Sequence, residues 1–444
     1  MILTKLIHKA WLLYMAAGMG VVSVHAQPRI LTVDQAISMA LSNSHVLKLD
    51  QAKVDLAISK YNQAKDMSLP AGSASATFSH AEIPAHRINL GSLDWTLPER
   101  ADSYVGSASL TETIFDGFKL KYARQSTRLL AEIAKTDVSL HKEEVIYTAV
   151  QMYFNLYKIV RSRQIVQQNI IAIDSLICQA EQFYRHGVVT KNDVLRFKLQ
   201  KSAAAIMASD LEANRSVACY NMAVLLGLPE DSDFQPALTV PEKDAAASLH
   251  QYLDIALSER KELQQNSLQS QADQLSYKTV KAAVLPKLSA NAGVKYIHAG
   301  AAFIPESGSF ISPFSAGATL SWNFSTLWTN KNRLSETRVQ QQETIIARDI
   351  WTDKIRTEVN QAYHIYLQAL HKVSLLQSAI EEATENDRMQ ADRYKNNVTT
   401  VTERVDADTK LYQALTDMEI ARADTQLAWY RLLKTTGTIA VIHQ

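Results

Sequence analysis

The chain has 444 residues, 47% of them hydrophobic, which is enough to bury a large core. A formal charge of +1 gives no general attraction to nucleic acid. Only 13 glycines and 10 prolines occur, which favours long regular elements and excludes a loop-rich architecture.

Residues 1–26 read as a signal peptide, with Lys5 and Lys9 as the basic start, an apolar run from Ala10 to Val24, and Val24-His25-Ala26 as a small-residue cleavage site. The mature chain is expected to begin at Gln27. No cysteine follows the site, so a lipid anchor is not indicated. No later run reaches about 18 apolar residues. If the exported chain crosses a membrane, it must do so as strands.

The first repeat spans 27–227. Thr32 and Asp34 open a helix expected to run to Leu69, where Pro70 stops it. Ala74, Ala76 and Phe78 alternate with Ser73, Ser75 and Thr77, and Tyr104, Ala108 and Leu110 alternate with Ser103, Ser107 and Ser109. A period of two with one apolar face predicts strands at about 72–83 and 103–115. Pro84 to Ala101 reads as an exposed loop. A long helix is expected over 117–186, with Val138, Val145, Met152, Ile159, Val166, Ile173 and Ala180 in one heptad row, implying a left-handed superhelix. Gly187 ends it, and a shorter helix over 192–226 closes at Gly227. Residues 228–247, with Pro229, Pro236 and Pro241, read as a connector with little periodicity. Cys178 and Cys219 read as two buried thiols rather than a bridge.

The second repeat spans 248–437, with a tail at 438–444. Ala40-Leu41-Ser42, Leu47, Tyr61 and Leu69-Pro70 recur as Ala256-Leu257-Ser258, Leu263, Tyr277 and Leu285-Pro286 at one common displacement. Tyr184, Val188, Thr190, Tyr220 and Gly227 recur at another as Tyr394, Val398, Thr400, Tyr430 and Gly437. Strands are expected at about 288–297 and 314–325, a long helix over 331–396, and a helix over 402–436. In the long helix Val359, Tyr366, Val373 and Ile380 form one row, Ile355, Ala362, Ala369, Leu376 and Ala383 the next, and Tyr363 and Leu370 a third, so it packs on two sides. Each copy is then helix, strand, strand, very long helix, helix. The two shorter helices, stacked end to end, match the long one in length.

Four one-sided strands leave two open edges, and a membrane barrel needs at least about eight strands to close. The chain must therefore associate. Two copies would make a barrel filled with side chains, whereas three would supply about twelve strands and room for a lumen. A soluble sandwich on a stalk, or a periplasmic coiled-coil tether without a lumen, are the alternatives.

This order, with Phe115-Asp116-Gly117 where a strand passes into the long helix, resembles the TolC-like outer-membrane efflux proteins over essentially the whole mature chain. The resemblance implies an α+β membrane protein, a trimer whose twelve-stranded outer-membrane β-barrel continues as an α-helical periplasmic barrel. It implies no enzyme and no cofactor. It also implies passive conduction of drugs, small molecules or proteins, with a periplasmic adaptor (membrane fusion) protein and a proton-driven or ABC-type inner-membrane pump as partners. Phe324-Ser325-Thr326 departs from the junction pattern in the second copy.

The tip opposite the strands is His186 to Asp193 and Asn396 to Asp406. Glu403 and Asp406 lie three apart on one face of a helix start, where acids suit the helix dipole. Under threefold symmetry they would make two stacked carboxylate rings, expected to titrate as a coupled set with some values raised. The resemblance matches these two positions to the family's acidic constriction, which limits flow and binds cations. It likewise matches Asp193 and Tyr394 to a link that holds the tip closed. The tip turns carry Gly187 and Asn397, the latter where the family has glycine, and Thr399 stands where the family has arginine. His364 and His371, seven apart, rise too far along a helix to share one metal. Trp95, Phe303, Phe310 and Phe314 read either as an interfacial belt or as loop packing.

Overall fold

The computed structural model describes residues 29–82, 84, 87–96, 100–237, 247–298 and 310–441. The expected signal peptide, Gln27, Phe303 and part of the connector lie outside the described residues. The first half runs β1 (Arg29–Leu31), α1 (Val33–Asn43), α2 (His45–Asp66), β2 (Ala71–Glu82), β3 (Arg87–Leu90), β4 (Leu93–Thr96), β5 (Arg100–Phe115), α3 (Lys119–Arg185) and α4 (Lys191–Leu226). The second runs β6 (Phe234–Pro236), α5 (Leu249–Glu259), α6 (Lys261–Ala282), β7 (Lys287–His298), β8 (Phe314–Ser321), the single turn α7 (Thr326–Thr329), α8 (Lys331–Lys395) and α9 (Val401–Thr435).

The rods α3 and α8, with 67 and 65 residues, are each about 100 Å long. The heptad residues of α3 face the interior: Val145, Val166, Ile173 and Ala180 are buried, as are Ala149 and Leu156 of the neighbouring row. On α8 the stripe of Ile355, Val359, Ala362 and Tyr366 is buried against Tyr252 and Leu432. Burying each large apolar side chain contributes about 1.5–3 kcal/mol.

The helix expected over Thr32 to Leu69 is in fact two, because Ser44 leaves the helical region at ψ 115° and its hydroxyl caps α2 by accepting from the Leu47 N–H. The break receives the end of another helix. Asn43 Nδ2 donates to the Leu226 carbonyl at 2.8 Å, and Gly227 ends α4 in the left-handed region at φ +66°. A Cβ on Gly227 would stand 2.9 Å from the Asn43 Cγ, so the stacked ends leave no room for one. The second half repeats the device, with a break at Arg260, ψ 122°, facing the end of α9. Residues within the expected connector form β6, which pairs in parallel with β1 and buries Phe234 and Leu31. The expected loop after β2 carries the β3–β4 hairpin, with Trp95 opposite Ile88.

The four long strands form one antiparallel sheet in the order β2-β5-β7-β8. Ala74, Phe78, Tyr104, Ala108, Leu110, Val294, Tyr296, Phe314 and Leu320 share one face by register. Serines share the other, where Ser73–Ser109, Ser75–Ser107 and Ser79–Ser103 hydroxyl pairs lie 2.8–3.0 Å apart. Both β2 and β8 are edges in this chain. Cys178, expected to be buried, is exposed, because it falls off the heptad rows of α3; Cys219 is buried, and both are free thiols.

Candidate functional site

At the tip, two turns of the same construction join α3 to α4 and α8 to α9. In the first, Gly187 adopts φ +71°, and the N–H groups of Gly187 and Val188 donate back to the carbonyls of Tyr184 and Phe183. In the second, Asn397 takes φ +56° with the equivalent bonds to Tyr394 and Arg393. Asparagine tolerates this conformation better than other side chains, which explains how it replaces glycine. Thr190 and Thr400 then cap α4 and α9, each in a reciprocal box with the residue three further on, Asp193 and Glu403.

The expected acids are therefore already engaged within the chain. The Glu403 carboxylate accepts from the Thr400 N–H at 2.9 Å and lies 2.5 Å from the Thr399 hydroxyl. These bonds, that of Thr399 first, hold its carboxyl below the usual range within the single chain. Asp406 is exposed and pairs with Lys410 at 2.7 Å. Thr399, standing where an arginine was expected, instead ties its hydroxyl to Glu403 and lies 2.8 Å from the Gln390 side-chain oxygen.

Asp193 and Tyr394 are near each other but not hydrogen-bonded. Both Thr190 donors, N–H and hydroxyl, occupy the Asp193 Oδ2, at 2.9 and 2.8 Å. The Tyr394 ring is 2% exposed, packed between Phe183 and Phe197 with centroids at 5.8 and 5.9 Å, and its hydroxyl has no partner among the described residues. Burial, reinforced by the Asp193 charge, pushes that phenol up. Among the described residues no hydrogen bond joins Asp193 to Tyr394, and the ring is held by its packing on Phe183 and Phe197. Val194, Val401, Leu176 and Ala180 complete an apolar core that joins all four tip helices.

Sequence reasoning missed a second feature of the tip. Arg404, 6% exposed, bonds Asp387 on α8 and approaches Asp408 at 4.0 Å, while Gln200 on α4 donates to Asp408 at 3.0 Å. Burial pushes the Asp408 carboxyl up to about 6, offset by Arg404 and the Gln200 bond and reinforced by Asp387. The interrupted apolar pattern at Arg404 and Asp408, four apart on α9, was the available signal.

At the other end, Phe115-Asp116-Gly117 turns β5 into α3. Gly117 and Phe118 both take positive φ, 75° and 69°, and Asp116 Oδ2 accepts from the Leu120 N–H at 2.9 Å. A Cβ on Gly117 would lie 2.8 Å from the Ala282 carbonyl oxygen. The second copy turns differently, because Ser325 stays in the right-handed region and α7 fills the corner. Trp322 Nε1 donates to the Val284 carbonyl there at 2.9 Å, and Asn330 Nδ2 to that of Val280 at 2.7 Å.

Phe310 and Phe314 are exposed, Phe310 stacking on Tyr296 with ring centroids 4.5 Å apart. His364 and His371 are exposed on α8. Among the described residues no group of His, Cys, Asp and Glu has a metal-holding arrangement, and no helix is long and apolar enough to cross a membrane.

The sequence pattern of the outer membrane efflux protein family matches residues 36–228 and again 252–438. No curated protein matches the chain in sequence. Among solved structures, the chain is similar to VceC of Vibrio cholerae, with TM-score 0.77, 14% identity, and 91% of this chain and 96% of that one covered. It is similar to the CmeC outer membrane channel of Campylobacter jejuni, with TM-score 0.75, 13% identity, and 92% and 86% covered. The MtrE outer membrane channel of Neisseria gonorrhoeae, in its open state, gives TM-score 0.73, 17% identity, and 92% and 89% covered. At such identities the likeness is one of fold.

Proposed function

The chain belongs to the outer membrane efflux protein family, and on that premise we propose that it is the passive exit duct of a tripartite efflux or secretion machine. Its sheet lies in the outer membrane and its helices in the periplasm. The observation that carries this reading is the open four-stranded sheet, apolar on one face and hydroxyl-lined on the other, standing on rods about 100 Å long. Tyr104 to Ile114 rises about 33 Å along the strand, which at a tilt of about 40° spans the roughly 25 Å apolar band of outer-membrane barrels. Exposed Phe78, Tyr104, Tyr296 and Phe310 gather towards one end of the sheet, and Trp322, Phe324 and Trp328 at the other, as two interfacial belts require.

Three copies would join β8 of one to β2 of the next, giving twelve strands around a wet lumen. The helical edges support the same assembly, since exposed Val46, Leu49 and Leu56 on α2 and Val339, Ile346 and Ile350 on α8 form apolar stripes that adjacent copies would cover. A periplasmic adaptor and an inner-membrane pump would supply energy and choose the cargo. At the tip, Glu403 and Asp406 would face the axis as a cation-attracting constriction, with Lys410 tempering the Asp406 charge.

Swelling of liposomes carrying the purified protein in small sugars tests the duct. Sugar-size-dependent swelling is expected, whereas a periplasmic tether would give none.

A further inference from the structure

The side-chain hydrogen bonds that join the first hairpin to the second at the tip, among the described residues, come from two positions on α4. Arg196 Nη1 donates to Thr402 Oγ1 at 2.7 Å, and Gln200 Nε2 donates to Asp408 Oδ2 at 3.0 Å, with Thr409 Oγ1 at 3.4 Å. Asp193, the acid expected to do this, caps its own helix instead. Asp408 is 2% exposed, and Arg404, bonded to Asp387 of α8, stands beside it.

We infer that Arg196 and Gln200 of α4, gripping Thr402 and Asp408 of α9, form the clasp that keeps the two hairpin tips together, with Arg404 holding Asp408 in position. This inference rests on the reading of the chain as a gated duct and assigns the gate's closing contacts to residues outside the expected set. Phe197 lies between the two donors in sequence and packs edge-on against Tyr394, so parting the clasp also unseats the apolar tip core.

The clasp is proton-sensitive with a definite sign. The groups around Asp408 are Arg404 and Tyr412 on α9, Asp387 on α8 and the neutral Gln200 on α4. Burial raises the Asp408 carboxyl from its ordinary 3.8 to about 6 in the clasped tip, and lifting α4 off α9 removes its share of that burial together with the smaller, opposing Gln200 bond. The clasped tip therefore binds this proton more tightly than the parted one. The added hold is fully present below about 4 and lost as pH rises through about 6. Acidification closes the tip.

The test records the open fraction of the reconstituted protein in planar bilayers at pH 7.5 and 5.5. Arg196→Ala with Gln200→Ala should raise it roughly tenfold or more at both pH values, as two lost hydrogen bonds imply. Wild type should close on acidification, while Asp408→Asn, which keeps an acceptor for Gln200 without the charge, should lose that pH response. Wild-type openness in the double variant, or a full pH response in Asp408→Asn, would overturn the clasp. Amide exchange across residues 401–410 reads the clasp without conduction. Exchange roughly tenfold faster in the double variant is expected, and unchanged exchange sinks the clasp whether or not the protein conducts. A silent wild type with faster exchange in the variant would instead sink the duct and leave the contact standing.

Discussion

Arg260, in the break between α5 and α6, donates from Nη1 to the Thr435 carbonyl at 3.1 Å, fastening the end of one stacked helix to the start of the other. The same guanidinium bonds Glu262 at 2.7 Å and Glu358 on α8 at 3.0 Å, and its side chain is 8% exposed. The first repeat makes this splice with a neutral residue, Asn43, on the Leu226 carbonyl. Arg260→Met should therefore cost about 3 kcal/mol, because it strands two carboxylates and a helix end. Asn43→Ala should cost only about 1–2 kcal/mol. Denaturant midpoints of the two variants decide, and equal losses would refute the difference.

Glu143 sits 6% exposed on α3, and burial, with repulsion from Glu262, pushes its carboxyl up to about 7 against the relief from Lys261, Arg260 and Lys434. The folded chain thus holds this proton more tightly than the unfolded one. Its contribution is complete below about 4.5 and disappears as pH rises through about 7. Glu143→Gln should stabilise the protein at pH 8 by at most about 3 kcal/mol and change little at pH 4.5. Unfolding curves at the two pH values check the sign.

The two strand-to-helix corners should respond unequally to one added or lost atom. Gly117→Ala forces a Cβ into the left-handed region and against the Ala282 carbonyl oxygen at 2.8 Å, a loss of about 2 kcal/mol or more. Ser325→Ala, in right-handed backbone with an exposed hydroxyl bonded to Asn323, should change stability by about 0.5 kcal/mol or less. Thermal melts of both variants measure the contrast.

Tyr394→Phe should leave leakage of large antibiotics into cells unchanged, since the hydroxyl it removes is buried without a partner among the described residues. Tyr394→Ala should increase leakage, because it empties the space between Phe183 and Phe197. Increased leakage in the phenylalanine variant would restore the hydroxyl link to Asp193.

Much of the architecture is legible because long periodic patterns leave few alternatives. The heptads of α3 and α8 specify both the element and its buried face, and the serine–alanine alternation of β2 and β5 specifies the element and its two unlike faces. The break at Ser44 is harder to read, since Ser42-Asn43-Ser44 are all capping residues and only the distant end of α4 shows why a break is needed there. The β1–β6 pairing is three residues long and joins the start of the first repeat to the connector beyond its end, so no local period announces it. At the tip, sequence position puts Asp193 and Glu403 in the two turns but does not give their bonding. The capping threonines are nearer in sequence and hold the Asp193 Oδ2 and the Glu403 Oε2 within their own turns. The Arg196 and Gln200 contacts are invisible for the opposite reason, because their partners lie on α9, in the other repeat.

The account depends on one chain supplying only a third of a closed wall. Native mass measurement of the detergent-purified protein tests that most directly. The predicted result is a single species of three copies, which dissociates only with loss of the β-sheet signal. A stable, fully folded monomer would contradict it, leaving β2 and β8 as true edges and the rods enclosing no passage.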